Sequence, residues 1–404
     1  MVCRAEAEVT TRTRRAWLVA VVAGAAALLS ACAGAGISIG DTPNHSSPPA
    51  AAPAPQAAAI GTGKVKVGVV LPMSAGGNAG IAAQSMKNAA ELALAEFNNP
   101  DIQLLVKDDG GTAQGAQQAV QQALDEGAEI ILGPLFAHSV GIAGQTARAR
   151  NVPVIAFSND SNVAARGVYL LSFLPESDVD RIVGYAVSQG KRSFAALLPD
   201  NAYGTVAEAT FKQAVARKGG RVVAIERFPL DRVKLQETAK VLAQATQRAD
   251  ALFMPCDADT LPAAAQSLAT SGVDFKRLAL LGTGLWDDTR VFSDNALQGG
   301  LYAAPDSAGF HNFSTRYRVK YGNDPVRTAA LAYDAVALVA ALVKTQGPQR
   351  FSNEVLTNSS GFSGIDGVFR FRQDGTNERG LSVLRVTPSG GQVVSPAPRA
   401  LAGT

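Results

Sequence analysis

Sulfur, histidine and concentrated charge are all scarce in this chain. Only three of its 404 residues are cysteine and three histidine. Cys3 and Cys32 lie near the N-terminus, so Cys256 is the one thiol of the remainder and no disulfide can form within the fold. An exported domain so composed must be held by its apolar core, and a 47% hydrophobic content makes that feasible. Only His138 and His311 fall in the part expected to fold, and no acidic cluster stands beside them, so neither a metal nor a cofactor is expected. No Gly-x-Ser-x-Gly occurs, and Cys256, following Phe253-Met-Pro255, reads as a packed strand end rather than a nucleophile. Basic and acidic residues nearly balance at 37 and 34. No basic run exceeds a pair, which excludes the concentrated face that nucleic acid requires. Beyond the N-terminal region no apolar run approaches the length of a membrane span.

The N-terminus carries what the rest lacks. Arg4, Arg12, Arg14 and Arg15 precede an apolar stretch from Trp17 to Leu29, about 13 residues and short of the roughly 20 a spanning helix needs. Leu29-Ser30-Ala31-Cys32 closes it. Basic, then apolar, then small residues describe an export signal, and the terminal cysteine resembles the bacterial lipoprotein signal, in which that residue is acylated. A plain signal peptide with a chance cysteine is the alternative, and the export route stays open. Loss of residues 1–31 would leave 33 basic and 32 acidic residues. Residues 32–63, rich in Ala and Pro, have little to bury and read as a disordered tether.

From Lys64 the pattern alternates regularly. Val65 to Leu71 is a β-branched run; Ile81 to Phe97 is helical, with Met86, Ala90, Leu94 and Phe97 on one face. Strands follow at 102–106, 129–132 and 153–157, helices at 112–125 and 139–150. After a break near Pro175 the rhythm restarts. Helices are expected at 182–188, 203–217, 234–247 and 260–271, strands at 193–198, 221–228, 251–254, 278–281 and 301–304. Gly219-Gly220 stops the second of those helices. An apolar helix spans 328–344, and 367–386 reads as a hairpin about Gln373-Asp-Gly375. Strand, helix and strand with short links predict an α/β protein with parallel sheets covered by helices on both faces.

Lys66-Val-Gly-Val-Val-Leu-Pro72, Asp108-Asp109, Ile131-Leu-Gly-Pro134 and Val152-Pro-Val154, in this order and spacing, resemble the Leu/Ile/Val-binding protein family, of the type I periplasmic binding fold. The resemblance runs from about Lys64 to Val386. It implies two lobes joined by three crossing strands, 64–174 with 305–378 and 175–304 with 379–396, and a ligand site between them at strand C-termini and helix N-termini. Asn201-Ala-Tyr203-Gly204 matches the family's Tyr-Gly at a lobe-two helix start. Other positions depart from the amino-acid site: Ala137 stands near an expected serine, Ser158-Asn159-Asp160 replaces a threonine loop, and Asp257-Ala258 replaces a tyrosine. Gly282-Thr-Gly-Leu-Trp286 stands where an acidic residue would hold an α-amino group. A lipoprotein of this fold with that segment also resembles the penicillin-binding-protein activators.

Candidate ligand contacts are therefore Asn78, Ala137, His138, Ser139, Ser158, Asn159 and Asp160 in lobe one, and Tyr203, Asp257 and Trp286 in lobe two. Trp286 has a rim-aromatic alternative and Asp160 a helix-cap alternative. Gly282-x-Gly284 lacks the third glycine of a dinucleotide loop. Asp108-Asp109 reads as a loop tie more than as an acid–base pair. Nothing points to an enzyme. The expected function is capture of a small polar, amino-acid-like solute by hinge closure, on a lipid-anchored protein at the periplasmic face of the outer membrane, for an ABC permease. The alternative is regulation of a peptidoglycan synthase through protein contact, and a weaker one a signalling receptor domain.

Overall fold

A computed structural model describes residues 59–98, 100–229 and 231–401. The expected signal, Cys32 and nearly all of the tether lie outside the described residues.

Lobe one is built on five strands, β1 Val65–Leu71, β2 Ile102–Asp108, β3 Ile130–Leu132, β4 Val154–Ala156 and β5 Val168–Leu170, all parallel in the order β2-β1-β3-β4-β5. Alternation along β1 explains its burial on both sides. Val65, Val67, Val69 and Leu71 enter one core with α1 (Gly77–Glu96) and α10 (Ala329–Thr345), whereas Val70 enters another with α2 (Ala113–Asp125) and α3 (Ala137–Arg148). Gly68 is obligatory there, because a Cβ would come within 2.7 Å of the Ile131 side chain and 2.9 Å of Ala123.

In lobe two, α4 (Pro175–Ser188), α5 (Ala202–Arg217), α6 (Arg232–Thr246) and α7 (Leu261–Thr270) cover a sheet formed from β6 Ser193–Pro199, β7 Arg221–Phe228, β8 Ala251–Phe253, β9 Ala279–Gly282 and β10 Leu301–Ala304. These five run parallel, and β14 Ser382–Thr387 and β15 Gly390–Ser395 close one edge antiparallel in the order β15-β14-β10-β9-β8-β6-β7. The helix stop behaves as its glycines dictate: Gly219 takes φ +72° and the Gly220 N–H donates to Val215 O at 2.9 Å, capping α5. Among the described residues no helix is long and apolar enough to cross a membrane.

The structure alters several readings. The 367–386 hairpin is shorter: β12 Gly367–Phe371 pairs with β13 Asn377–Arg379 and with β11 Phe362–Gly364, while β14 leaves for the other sheet. Among the elements not foreseen are β5, β11, β15 and the helix α9 Ser307–Tyr321. The β5 strand is only three residues beside a turn, and α9 mixes charged and aromatic residues without a clear apolar stripe.

Between the two sheets the chain passes three times: after β5, between β10 and α9, and between β13 and β14. Side chains from or beside all three passages stack in one pile. Arg379 lies between the Phe369 and Phe173 rings at 5.3 and 4.9 Å, and Arg327 between Phe173 and Phe310 at 4.8 and 4.3 Å. Asp366 grips Arg327 with two bonds of 2.9 and 2.6 Å. The Arg379 Nε–H donates to Ser172 O at 3.0 Å, and Asn377 donates to Leu170 O and Ser172 O. The Arg181 Nε–H, from α4, reaches Leu381 O at 2.8 Å.

Two buried acids flank this pile. Asp178 accepts from the Gly284 N–H and Asp334 from the Ile365 N–H, and burial pushes each carboxyl up to about 7. The folded chain thus retains protons that the unfolded chain releases above about pH 4. Stability is therefore expected to fall as pH rises from about 4 through 7, by roughly 1.4 kcal/mol per pH unit for each group. Melting temperatures measured across that window should show a shallower slope in Asp334→Asn; an unchanged slope would refute this assignment.

Candidate functional site

At the C-terminal edges of both sheets the connecting loops carry most of the sequence-selected residues, and their helix termini differ in one respect. The α2 and α5 N-termini are capped: Thr112 accepts from the Gly115 N–H at 3.0 Å, and Asn201 from the Gly204 N–H at 2.8 Å. Asp257 accepts from the Thr260 N–H at 2.9 Å within the turn before α7, whose own start carries no side-chain cap. No side chain caps α1 or α3, which follow β1 and β3, neighbouring strands of one sheet. Uncapped N–H groups at adjacent helix starts suit an anion, because the helix dipoles add to their donor capacity. Gly133 permits the turn from β3: it takes φ +103°, and a Cβ there would meet Val70 O at 2.0 Å.

Around the α3 start, Ala137 is half-buried and His138 exposed. The His138 ring stacks on Phe136 with centroids 5.6 Å apart, and its Nε2 lies 2.9 Å from Gly111 O. Ser139 is fully buried, and its hydroxyl has no hydrogen-bond partner among the described residues. Asn78 stands exposed in the first turn of α1. After β4, Ser158 is buried and accepts from the Asp160 N–H at 3.1 Å; Asn159 is exposed. Asp160 in turn accepts from the Asn162 N–H at 3.0 Å, so it does cap the short 3-10 helix Ser161–Val163.

Asp108 and Asp109 tie loops. Burial opposes the Asp108 charge, but hydrogen bonds from Ser74 and Gly110 outweigh it and hold the carboxyl below its ordinary value. Burial raises that of Asp109, whose Oδ1 accepts from the Gly111 N–H at 2.8 Å while Oδ2 has no partner among the described residues.

In lobe two, Tyr203 donates to the Thr283 hydroxyl at 2.9 Å, joining the first turn of α5 to the loop after β9. Burial, reinforced by nearby Asp178, pushes its phenol well above the usual range, so it stays a neutral donor. Thr283 is a participant that sequence reasoning missed, although it lies inside the Gly282-Thr-Gly284 segment that drew attention. Asp257 is exposed, and its Oδ1 is engaged by the Asp259 and Thr260 N–H groups and the Thr260 hydroxyl. Cys256 is fully buried, and burial raises its thiol far above the reactive range.

Trp286 requires a correction. Its side chain is 0% exposed and its indole N–H donates to Met254 O at 2.9 Å, so it offers a ligand no surface. A Cβ on Gly282 would lie 2.2 Å from the indole and one on Gly300 2.8 Å. The Gly-Thr-Gly-Leu-Trp segment is thus a slot for a core tryptophan, and spacing alone could not tell that role from a rim contact. Among the described residues no group of three His, Cys, Asp or Glu side chains could hold a metal.

The family model described as "Periplasmic binding protein" matches residues 64–392. Among solved structures, a Rhodospirillum rubrum protein provisionally assigned to branched-chain amino acid ABC transport superposes with a TM-score of 0.72 at 19% identity, covering 82% of this chain and 99% of that one. A solute binding protein of Rhodopseudomonas palustris in complex with 3,4-dihydroxybenzoic acid gives 0.62 at 21%, covering 84% and 98%. The leucine binding protein of Thermotoga maritima gives 0.59 at 18%, covering 82% and 98%. An uncharacterized Rickettsia prowazekii protein is 28% identical over 95 residues, which are 24% of this chain and 25% of that protein.

Trp286→Ala is expected to cost about 3–5 kcal/mol in urea unfolding, the usual loss for a buried tryptophan. A cost under about 1 kcal/mol would return Trp286 to the rim.

Proposed function

Taking as premise that this chain belongs to the periplasmic binding protein family, whose model covers residues 64–392, we propose that it captures a small polar, amino-acid-like carboxylate between its lobes. The observation that carries this reading is the pair of uncapped helix starts at α1 and α3 beside the buried hydroxyls of Ser139 and Ser158. A carboxylate there would accept N–H bonds that no side chain supplies. Across from them the Tyr203–Thr283 hydroxyl pair would meet the polar end of the solute, and the Phe136–His138 stack would face its apolar part. Of the candidate acids, Asp160 caps its own short helix and Asp257 is bonded within its own turn. The ligand is therefore recognised chiefly through its carboxylate. That selection also fits the chemistry of relatives solved with leucine, with benzoate and with 4-hydroxybenzoate.

Closure of the lobes about the Arg379 stack would bury the solute, and opening would deliver it to an ABC permease. The chain works in the periplasm, and we assign Cys32 as its lipid attachment point, residues 32–63 giving the reach from the membrane to Lys64.

Titration calorimetry with amino acids and aromatic carboxylates, each beside its amide, tests the reading. At least one carboxylate should bind and its amide should bind at least about tenfold more weakly, a difference of about 1.4 kcal/mol. Failure of all of them at millimolar concentration would end it. Ala137→Asp should place a competing carboxylate at the α3 start, weakening binding about tenfold while the melting temperature holds or rises. For the anchor, Cys32→Ala should move the protein from the membrane fraction to the soluble periplasm.

A further inference from the structure

Opposite the ligand edge, the N-terminal edge of the lobe-two sheet carries an arginine at each of four αβ connections. Arg277 precedes β9, Arg248 precedes β8, Arg192 precedes β6, and Arg221 begins β7. Because the strands lie in the order β9-β8-β6-β7, the four line up along one rim. With neighbouring strands about 4.8 Å apart, the row extends about 14 Å. The four arginines line one depression of ≈ 540 Å³, together with Gly219, Gly220 and Asp250. All four are exposed, and none forms an ion pair among the described residues.

Two of the four have structural work. Arg192 Nη1 donates to Lys218 O at 3.4 Å, at the end of α5, and Arg277 Nη1 donates to Ala249 O at 2.9 Å just past α6. Arg221 and Arg248 make no side-chain hydrogen bond among the described residues and leave their guanidinium forks unused. The one acid of the depression offsets a single charge of the four and is held by its own loop. Asp250 Oδ2 is taken by the Arg192 N–H, the Ser193 N–H and the Ser193 hydroxyl at 2.9, 2.9 and 2.7 Å. The floor is free of side chains at Gly219, where a Cβ would meet nothing within 4 Å.

We propose that this rim is a second binding site, for a soluble anion carrying several phosphoryl groups. Guanidinium forks match phosphoryl oxygens in paired hydrogen bonds, and a row about 14 Å long exceeds what one phosphate can span. The site is independent of the carboxylate site, being built from the opposite edge of one lobe.

Calorimetry on the full chain with tripolyphosphate and with inorganic phosphate, at low and at physiological salt, tests it. Tripolyphosphate should bind more tightly than inorganic phosphate and weaken as salt rises. The double variant Arg221→Gln/Arg248→Gln should lose at least tenfold in tripolyphosphate affinity with an unchanged melting temperature. Arg150→Gln, at a lobe-one surface pair with Asp125, should bind as the wild type does. Equal binding by the double variant, or no binding of tripolyphosphate, would overturn the proposal. Co-sedimentation with phosphatidylglycerol but not phosphatidylcholine vesicles, without tripolyphosphate binding, would overturn it too, since the rim would then read a membrane surface.

Discussion

Two guanidinium groups laid between three phenyl rings hold the halves of this molecule together. Each sheet has its own cores, and only three chain passages join them among the described residues. Without a fixed joint the C-terminal edges of the two sheets would have no defined relation. Phe369, Arg379, Phe173, Arg327 and Phe310 supply that joint from or beside every passage. Arginine suits it because a guanidinium is weakly hydrated, stays charged, and stacks flat on aromatic faces while its rim still donates.

The same pile concentrates unusual electrostatics. Asp366 grips Arg327 with two bonds, whereas the terminal nitrogens of buried Arg379 and one oxygen of Asp334 have no partners among the described residues. Asp178 and Asp334, held near neutral pH by burial, lie within the field of Arg379.

Much of the lobe architecture was legible because parallel strands buried on both faces leave continuous β-branched runs, as in Val65 to Leu71, and because their helices keep a 3.6 period. Short β5 gave no such run. Charged and aromatic α9 hid its buried face, since Phe313 and Tyr317 are separated by the polar Ser314, Thr315 and Arg316. The candidate site was legible by location more than by contact. Loop positions after strands follow from topology, so Ser139, Ser158 and Tyr203 could be named. Whether a side chain points outward, caps its own loop or enters the core depends on distant atoms. Asp160 turned into a cap, Asp257 bonded its own turn, and Trp286 turned inward over Gly282 and Gly300.

By itself the amino-acid order determined the α/β class, the two-lobe organisation, the absence of disulfides within the fold and the loops that carry the candidate residues, because each depends on local periodicity or on composition. Only the tertiary structure decided the arginine–phenylalanine joint, the burial of Trp286, the open starts of α1 and α3, and the alignment of Arg277, Arg248, Arg192 and Arg221. Those depend on contacts between residues as far as about 200 positions apart, such as Ser172 with Arg379, and neither hydrophobic pattern nor spacing encodes which of them will meet.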